Sequence, residues 1–159
     1  MNGDAVLIRP AQAEDIPIIL RHRLGMYEAM GVGDRESRAE MAEASGSILP
    51  AAMADGSFRA WLAEIDGKVV AGGGVFVARW LSHPRDLLCR RATVLNVYTD
   101  PEYRRRGIAR KVMETILVWC RSQGFADVFL HASHEGRPLY EAMGFQPGNE
   151  MRLRLGQKA

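Results

Sequence analysis

The sequence predicts an α/β (α+β) fold, a sheet with helices on both faces, and three observations carry that reading. A strong turn dipeptide, Asp66–Gly67, sits between two β-rich runs, which marks a hairpin in the first half of the chain. Strand-like and helix-like segments alternate in the second half. The run from Ala109 to Cys120 carries its apolar residues on one helical face directly after the apolar run Ala92–Thr99. The chain has 159 residues, 47% of them hydrophobic and 25% charged, which suits one domain (1–159, core about 5–155) with a proper core.

Taken in order, Ala5–Ala11 reads as a first strand stopped by Pro10. Acidic residues then open a helix in which Pro17 is tolerable in the first turn; Ile16, Ile19, Leu20, Arg23 and Tyr27 recur at helical spacing, and Gly31 and Gly33 close it. Residues 35–56 read as a second helical region broken near Gly46 and Pro50. Phe58, Ala60 and Leu62 alternate along the next strand, and the hairpin returns through Lys68–Leu81. Within that return strand Gly72–Gly74 opens no helix, so it reads as a bulge or a close backbone approach. A loop, the Ala92–Thr99 strand and a helix follow, with Ala109, Val112, Met113, Ile116, Leu117 and Cys120 facing the core and Gly124 as terminator. Ala126–Ala132 reads as a buried strand, 135–144 as a short helix, and Phe145–Leu155 as a final strand.

Composition excludes several classes. With 21 basic against 19 acidic residues the net charge is +2, too small to indicate a nucleic-acid partner. Two cysteines, Cys89 and Cys120, without a CxxC, argue against a disulfide framework or a cysteine metal site and favour the cytoplasm. His131 and His134 have no ligating neighbours in sequence, so no metal is expected. No apolar run approaches the roughly 20 residues that span a bilayer, and the N-terminus lacks a signal-peptide pattern, so no membrane partner is expected.

One stretch stands out: three arginines, Arg104, Arg105 and Arg106, run into Gly107 and the small Ala109 just as the helix begins. A helix start offers unpaired N–H groups and the positive end of its dipole. A bare glycine lets an anion approach them, and a diphosphate would fill such a site. There is no GxxxxGK[ST], so a nucleoside-triphosphate loop is absent.

Arg104-x-x-Gly107-x-Ala109, placed after an apolar strand, resembles the acetyl-CoA motif of the GCN5-related N-acetyltransferases (GNAT). Pro138–Phe145, "PLYEAMGF", resembles that family's C-terminal stretch, about thirty residues downstream. The resemblance spans nearly the whole chain. It implies a mixed, mostly antiparallel sheet with a splayed strand pair, and direct acetyl transfer from acetyl-CoA to an amine. It places the cofactor on Arg104, Arg105, Arg106, Gly107, Ile108, Ala109 and Arg110 and along the fourth strand at Val97, Tyr98 and Thr99. It makes Tyr140 the hydrogen-bond donor to the leaving thiolate. Asn96 stands where some relatives carry a glutamate base, and could hold a water instead. Tyr27 and Glu28 are acceptor-contact candidates, and a homodimer is expected. The rival readings are a non-catalytic CoA sensor and a nucleic-acid-binding module.

Overall fold

The computed structural model describes residues 5–156. Five strands, β1 (Leu7–Pro10), β2 (Phe58–Ile65), β3 (Lys68–Arg79), β4 (Arg90–Thr99) and β5 (Val128–Leu130), form one sheet in the order β1-β2-β3-β4-β5. The first three pairings are antiparallel and β4–β5 is parallel. Four helices accompany it: α1 (Ile16–Ala29), α2 (Arg35–Asp55), α3 (Ile108–Ser122) and α4 (Arg137–Ala142).

Strand β2 shows how the layers arise. Phe58 and Ala60 pack with Ile19 of α1 and Leu49 and Ala52 of α2. Trp61, Ala63 and Ile65 pack with Val112, Met113, Ile116 and Cys120 of α3. Side chains alternate along a strand, so the two sets lie on opposite faces and helices cover both. The β2–β3 turn is the two-residue loop the dipeptide predicts: Asp66 and Gly67 both take positive φ, 49° and 77°, and Ile65 faces Lys68.

Helix α2 departs from expectation, because it runs unbroken through Gly46 and Pro50. An internal proline removes one backbone hydrogen bond and costs about 3 kcal/mol. Burial of Leu49 and Ala52 on either side of Pro50 offsets that cost. Gly46 marks a close helix crossing rather than a break: a Cβ there would come within 3.2 Å of Leu20. The N-terminus is fixed by Asp34, whose carboxylate accepts from the Ser37 amide at 2.8 Å, and left-handed Gly56 ends the helix.

Three further readings are corrected. Ile108, not Ala109, seals the first turn of α3 in the core, and Leu117 is only half-buried. The expected strand Ala126–Ala132 shrinks to Val128–Leu130, with Phe129 40% exposed. The expected final strand Phe145–Leu155 does not form: residues 145–156 carry no helix or strand, and Met151, Leu153 and Leu155 are 94%, 81% and 85% exposed. A strand needs an edge to pair with. Pro147 and Gly148 interrupt this one, and its apolar side chains find no face to cover within the described chain.

Candidate active site

The triple glycine lets β3 pass under crowded layers. A Cβ on Gly72 would meet Leu62 at 2.9 Å and the His22 imidazole at 3.1 Å; on Gly74 it would meet the Phe58 ring at 2.7 Å. Opposite Gly73 the ladder slips: Gly72 pairs with Tyr98 but Gly74 pairs with Leu95, so Asn96 and Val97 bulge out of β4. Asn96 takes left-handed φ, 61°, which asparagine tolerates better than most residues. Its Nδ2 donates to the Ile19 carbonyl of α1 at 3.1 Å, which ties the bulge to that helix. Its Oδ1 is buried without a partner among the described residues.

Beyond the bulge the sheet opens. The β4–β5 register ends at Val94↔Leu130, so the edge of β4 from Leu95 to Thr99 has no strand beside it on that side. This is the splayed pair. Val97 points to the α3 face, where it converges with Val112 and Ile116 over Gly73. Tyr98 points to the α1 face, against Gly25, and its ring centroid lies 5.2 Å from that of His22.

The end of β4 is held by charge. Asp100, 7% exposed, pairs with Arg21 at 2.8 Å, and its amide donates to the Val70 carbonyl. Arg21 Nη2 lies 3.2 Å from His22 Nε2. Burial first, and the Arg21 charge second, push the His22 imidazole down to about 4 against the opposing pull of Asp100. Neutral His22 therefore accepts from Arg21. This trio was invisible in sequence, since nothing local links Arg21 to Asp100.

The loop after Asp100 leads into α3. Arg104 Nε donates to the Thr99 carbonyl at 3.0 Å, so this side chain braces the loop against β4. Arg106 lies over the Tyr103 ring at 5.1 Å. Arg105 and Gly107 both have positive φ, 64° and 74°. No side chain caps the helix at Gly107, and the amides of Ile108, Ala109 and Arg110 belong to the first turn, where no intrahelical acceptor exists. The first such bond is Lys111 N to Gly107 O at 3.2 Å. A Cβ on Gly107 would meet nothing within 4 Å. The open β4 edge thus runs directly into an exposed, basic, uncapped helix start, an arrangement that fits an extended chain ending in a diphosphate.

Tyr140 sits on α4, half-buried on the α3 side, with its ring edge-on to Phe145 at 5.9 Å. Burial raises its phenol above the usual value, so it remains a donor at neutral pH. Tyr27 lies under the Arg23 guanidinium, 5.2 Å from ring centroid to Cζ. Glu28 is exposed and lines a groove of about 390 Å³ between α1 and α2 with Leu24, Arg35 and Arg38. Tyr27 and Glu28 are therefore on different surfaces of α1.

Comparison with known proteins gives a consistent picture. The model of the acetyltransferase (GNAT) family matches residues 25–145. Human N-acetyltransferase 8 is 34% identical over 89 residues, 54% of this chain and 37% of that protein. A mouse probable N-acetyltransferase, family 8 member 5, is 32% identical over 112 residues, 69% of this chain and 45% of that one. The chain thus matches less than half the length of these curated relatives. A GCN5-related N-acetyltransferase from Ralstonia eutropha JMP134 superposes with TM-score 0.89 and 34% identity, covering 95% of this chain and 99% of that one. A predicted acetyltransferase from Clostridium acetobutylicum, solved with acetyl-CoA, superposes with TM-score 0.81 at 23% identity over 96% of both chains.

Proposed function

Because this chain belongs to the GNAT family of acetyltransferases, we propose that it transfers an acetyl group from acetyl-CoA directly to an amine. The observation that supports this best is the continuity of the open β4 edge with the uncapped start of α3. The amides of Ile108, Ala109 and Arg110, with Gly107 bare beside them, hold the diphosphate. Edge groups of Val97, Tyr98 and Thr99 pair with the pantetheine arm as an added strand would. An amide of Val97, in the bulge, or of Tyr98, just beyond it, donates to the thioester oxygen; a preorganised donor of this kind is worth roughly 3 kcal/mol.

Transfer forms a C–N bond and breaks the C–S bond. The amine must shed a proton and the sulfur must leave with its electron pair. Tyr140 donates a hydrogen bond to that sulfur. A phenol normally ionises near 10 and a thiol near 8.5, and burial widens the gap, so Tyr140 stabilises the thiolate rather than surrendering its proton. The test is thiol release from acetyl-CoA across a panel of amines, with calorimetry of acetyl-CoA binding alongside. Binding without release for any amine supports a CoA sensor; no binding refutes both.

The reading extends to context. The chain forms a single catalytic domain working in the cytoplasm, the compartment that unpaired Cys89 and Cys120 favour. It assembles as a homodimer. Met151, Leu153 and Leu155 alternate with Arg152 and Arg154 in a strand pattern that pairs with no strand among the described residues, and β5 offers a sheet edge to a second copy.

A further inference from the structure

Arg23 is a half-buried cation with no carboxylate partner among the described residues. Of the other half-buried arginines, Arg9 bonds Asp15 at 2.8 Å and Glu64 at 2.6 Å, Arg91 bonds Glu150 at 3.1 Å, and Arg90, which has no carboxylate, donates to the Gln123 carbonyl at 3.1 Å. Arg23 has only Tyr27, whose ring lies beneath it and whose hydroxyl is 3.5 Å from Nη2. Its Nε is buried and has no hydrogen-bond partner among the described residues. Buried polar groups are nearly always satisfied, and a desolvated charge without a counter-charge is costly.

The position matters as much as the charge. Arg23 is one helical turn beyond Ile19, the residue whose carbonyl holds Asn96 at the β4 bulge. Asn96 itself is 5% exposed and keeps Oδ1 unpaired. Two buried polar atoms of opposite sense, one donor and one acceptor, thus remain unmatched where α1 meets the bulge. On the α3 face, Val97, Val112 and Ile116 pack over Gly73 of β3. The α1 face carries both the bulge contact and Arg23, and so offers an amine a route to the open edge. The diphosphate does not explain this arginine, because the start of α3 belongs to the opposite face of the sheet.

We propose that Arg23 is a specificity-determining residue that pairs with a carboxylate on the acceptor, so that the acceptor is an anionic, amino-acid-like amine. This rests on the acetyltransferase reading. The guanidinium presents parallel N–H donors to the carboxylate, Tyr27 supports it from below, and the acceptor's amino group is left facing the β4 edge.

The experiment compares L-amino acids with their own carboxamides as acceptors, which removes the negative charge and keeps the side chain. The wild-type protein should favour the acid of the preferred pair in kcat/KM by about a hundredfold, the scale of a charge-assisted bidentate contact. Arg23→Gln should raise KM for the acid and erase the preference, while leaving the carboxamide, the melting temperature and acetyl-CoA affinity little changed. Arg23→Lys should restore part of it. A second readout is calorimetric binding of the corresponding N-acetyl amino acid in the presence of CoA, lost in Arg23→Gln. The proposal is overturned if no amino acid is acetylated or held, if acid and carboxamide are used equally, or if Arg23→Gln keeps the preference. Turnover of uncharged amines in any of those cases leaves the acetyltransferase reading standing, whereas failure to bind acetyl-CoA removes both.

Discussion

Gly107 separates the backbone role of a glycine from its role at an anion site. Its φ of 74° lies where a side chain costs roughly 1 kcal/mol, and a Cβ there meets nothing within 4 Å. Gly107→Ala and Gly107→Glu therefore share the same strain and little else within the folded protein. Each should lower the melting temperature by about 2–4 °C, the shift expected for 1 kcal/mol in a domain of this size. They differ in charge. A glutamate carboxylate about 5 Å from one diphosphate charge repels it by about 1 kcal/mol in a water-like medium and about 3 kcal/mol at the lower dielectric of a protein surface. The Glu variant should thus bind CoA about 5- to 150-fold more weakly than the Ala variant. Calorimetry on both, at low salt and near 1 M salt, is the assay. The gap should shrink at high salt, where the screening length falls to about 3 Å. Equal CoA affinity of the two folded variants at low salt would refute the placement of the diphosphate at this helix start.

Tyr140→Phe keeps the ring that packs on Phe145 and removes only the hydroxyl. Turnover should fall about ten- to a thousandfold with acetyl-CoA affinity and melting temperature nearly unchanged, and steady-state kinetics showing wild-type turnover would take Tyr140 out of the mechanism. His22, held neutral down to about 4, binds its proton more weakly folded than unfolded, where it titrates near 6.5. Its contribution is therefore complete above 6.5 and is lost as the pH falls towards 4, by about 3 kcal/mol at 1.36 kcal/mol per pH unit; urea unfolding at pH 7, 5.5 and 4 should show a steeper loss in the wild type than in His22→Gln. Leu153→Glu should turn the proposed homodimer into a monomer by light scattering without lowering CoA affinity, and a wild type that is already monomeric at micromolar concentration would reject the dimer.

How much of this was legible depended on how local the cause is. The Asp66–Gly67 hairpin, the α3 stripe and the bare helix start at Gly107 are each set within a few residues, and the structure contains all three. Helix α2 was misjudged because its continuity through Pro50 depends on what Leu49 and Ala52 bury against, which propensity does not register. The final strand was misjudged for the converse reason: Met151–Leu155 has the right alternation, but a strand is a relation between segments, and among the described residues this segment pairs with none, although β5 is an edge strand.

The site divides along the same line. The end that would hold the diphosphate is one continuous stretch, Arg104 to Arg110, and a motif can announce it. The other end is assembled from α1 and β4 across 77 residues at Asn96–Ile19 and 79 at Arg21–Asp100. Arg21, His22 and Arg23 are consecutive, yet one pairs with a buried carboxylate, one is buried neutral, and one has a tyrosine and no counter-charge among the described residues. Three adjacent side chains on a helix point about 100° apart, so only the packing of α1 on the bulge decides which of them meets which partner. In sequence Arg23 is one of several residues recurring at helical spacing; what sets it apart is a buried Nε with no hydrogen-bond partner among the described residues. The acceptor's identity was hidden for that reason, and the Arg23 variants test it at the place where the two segments meet.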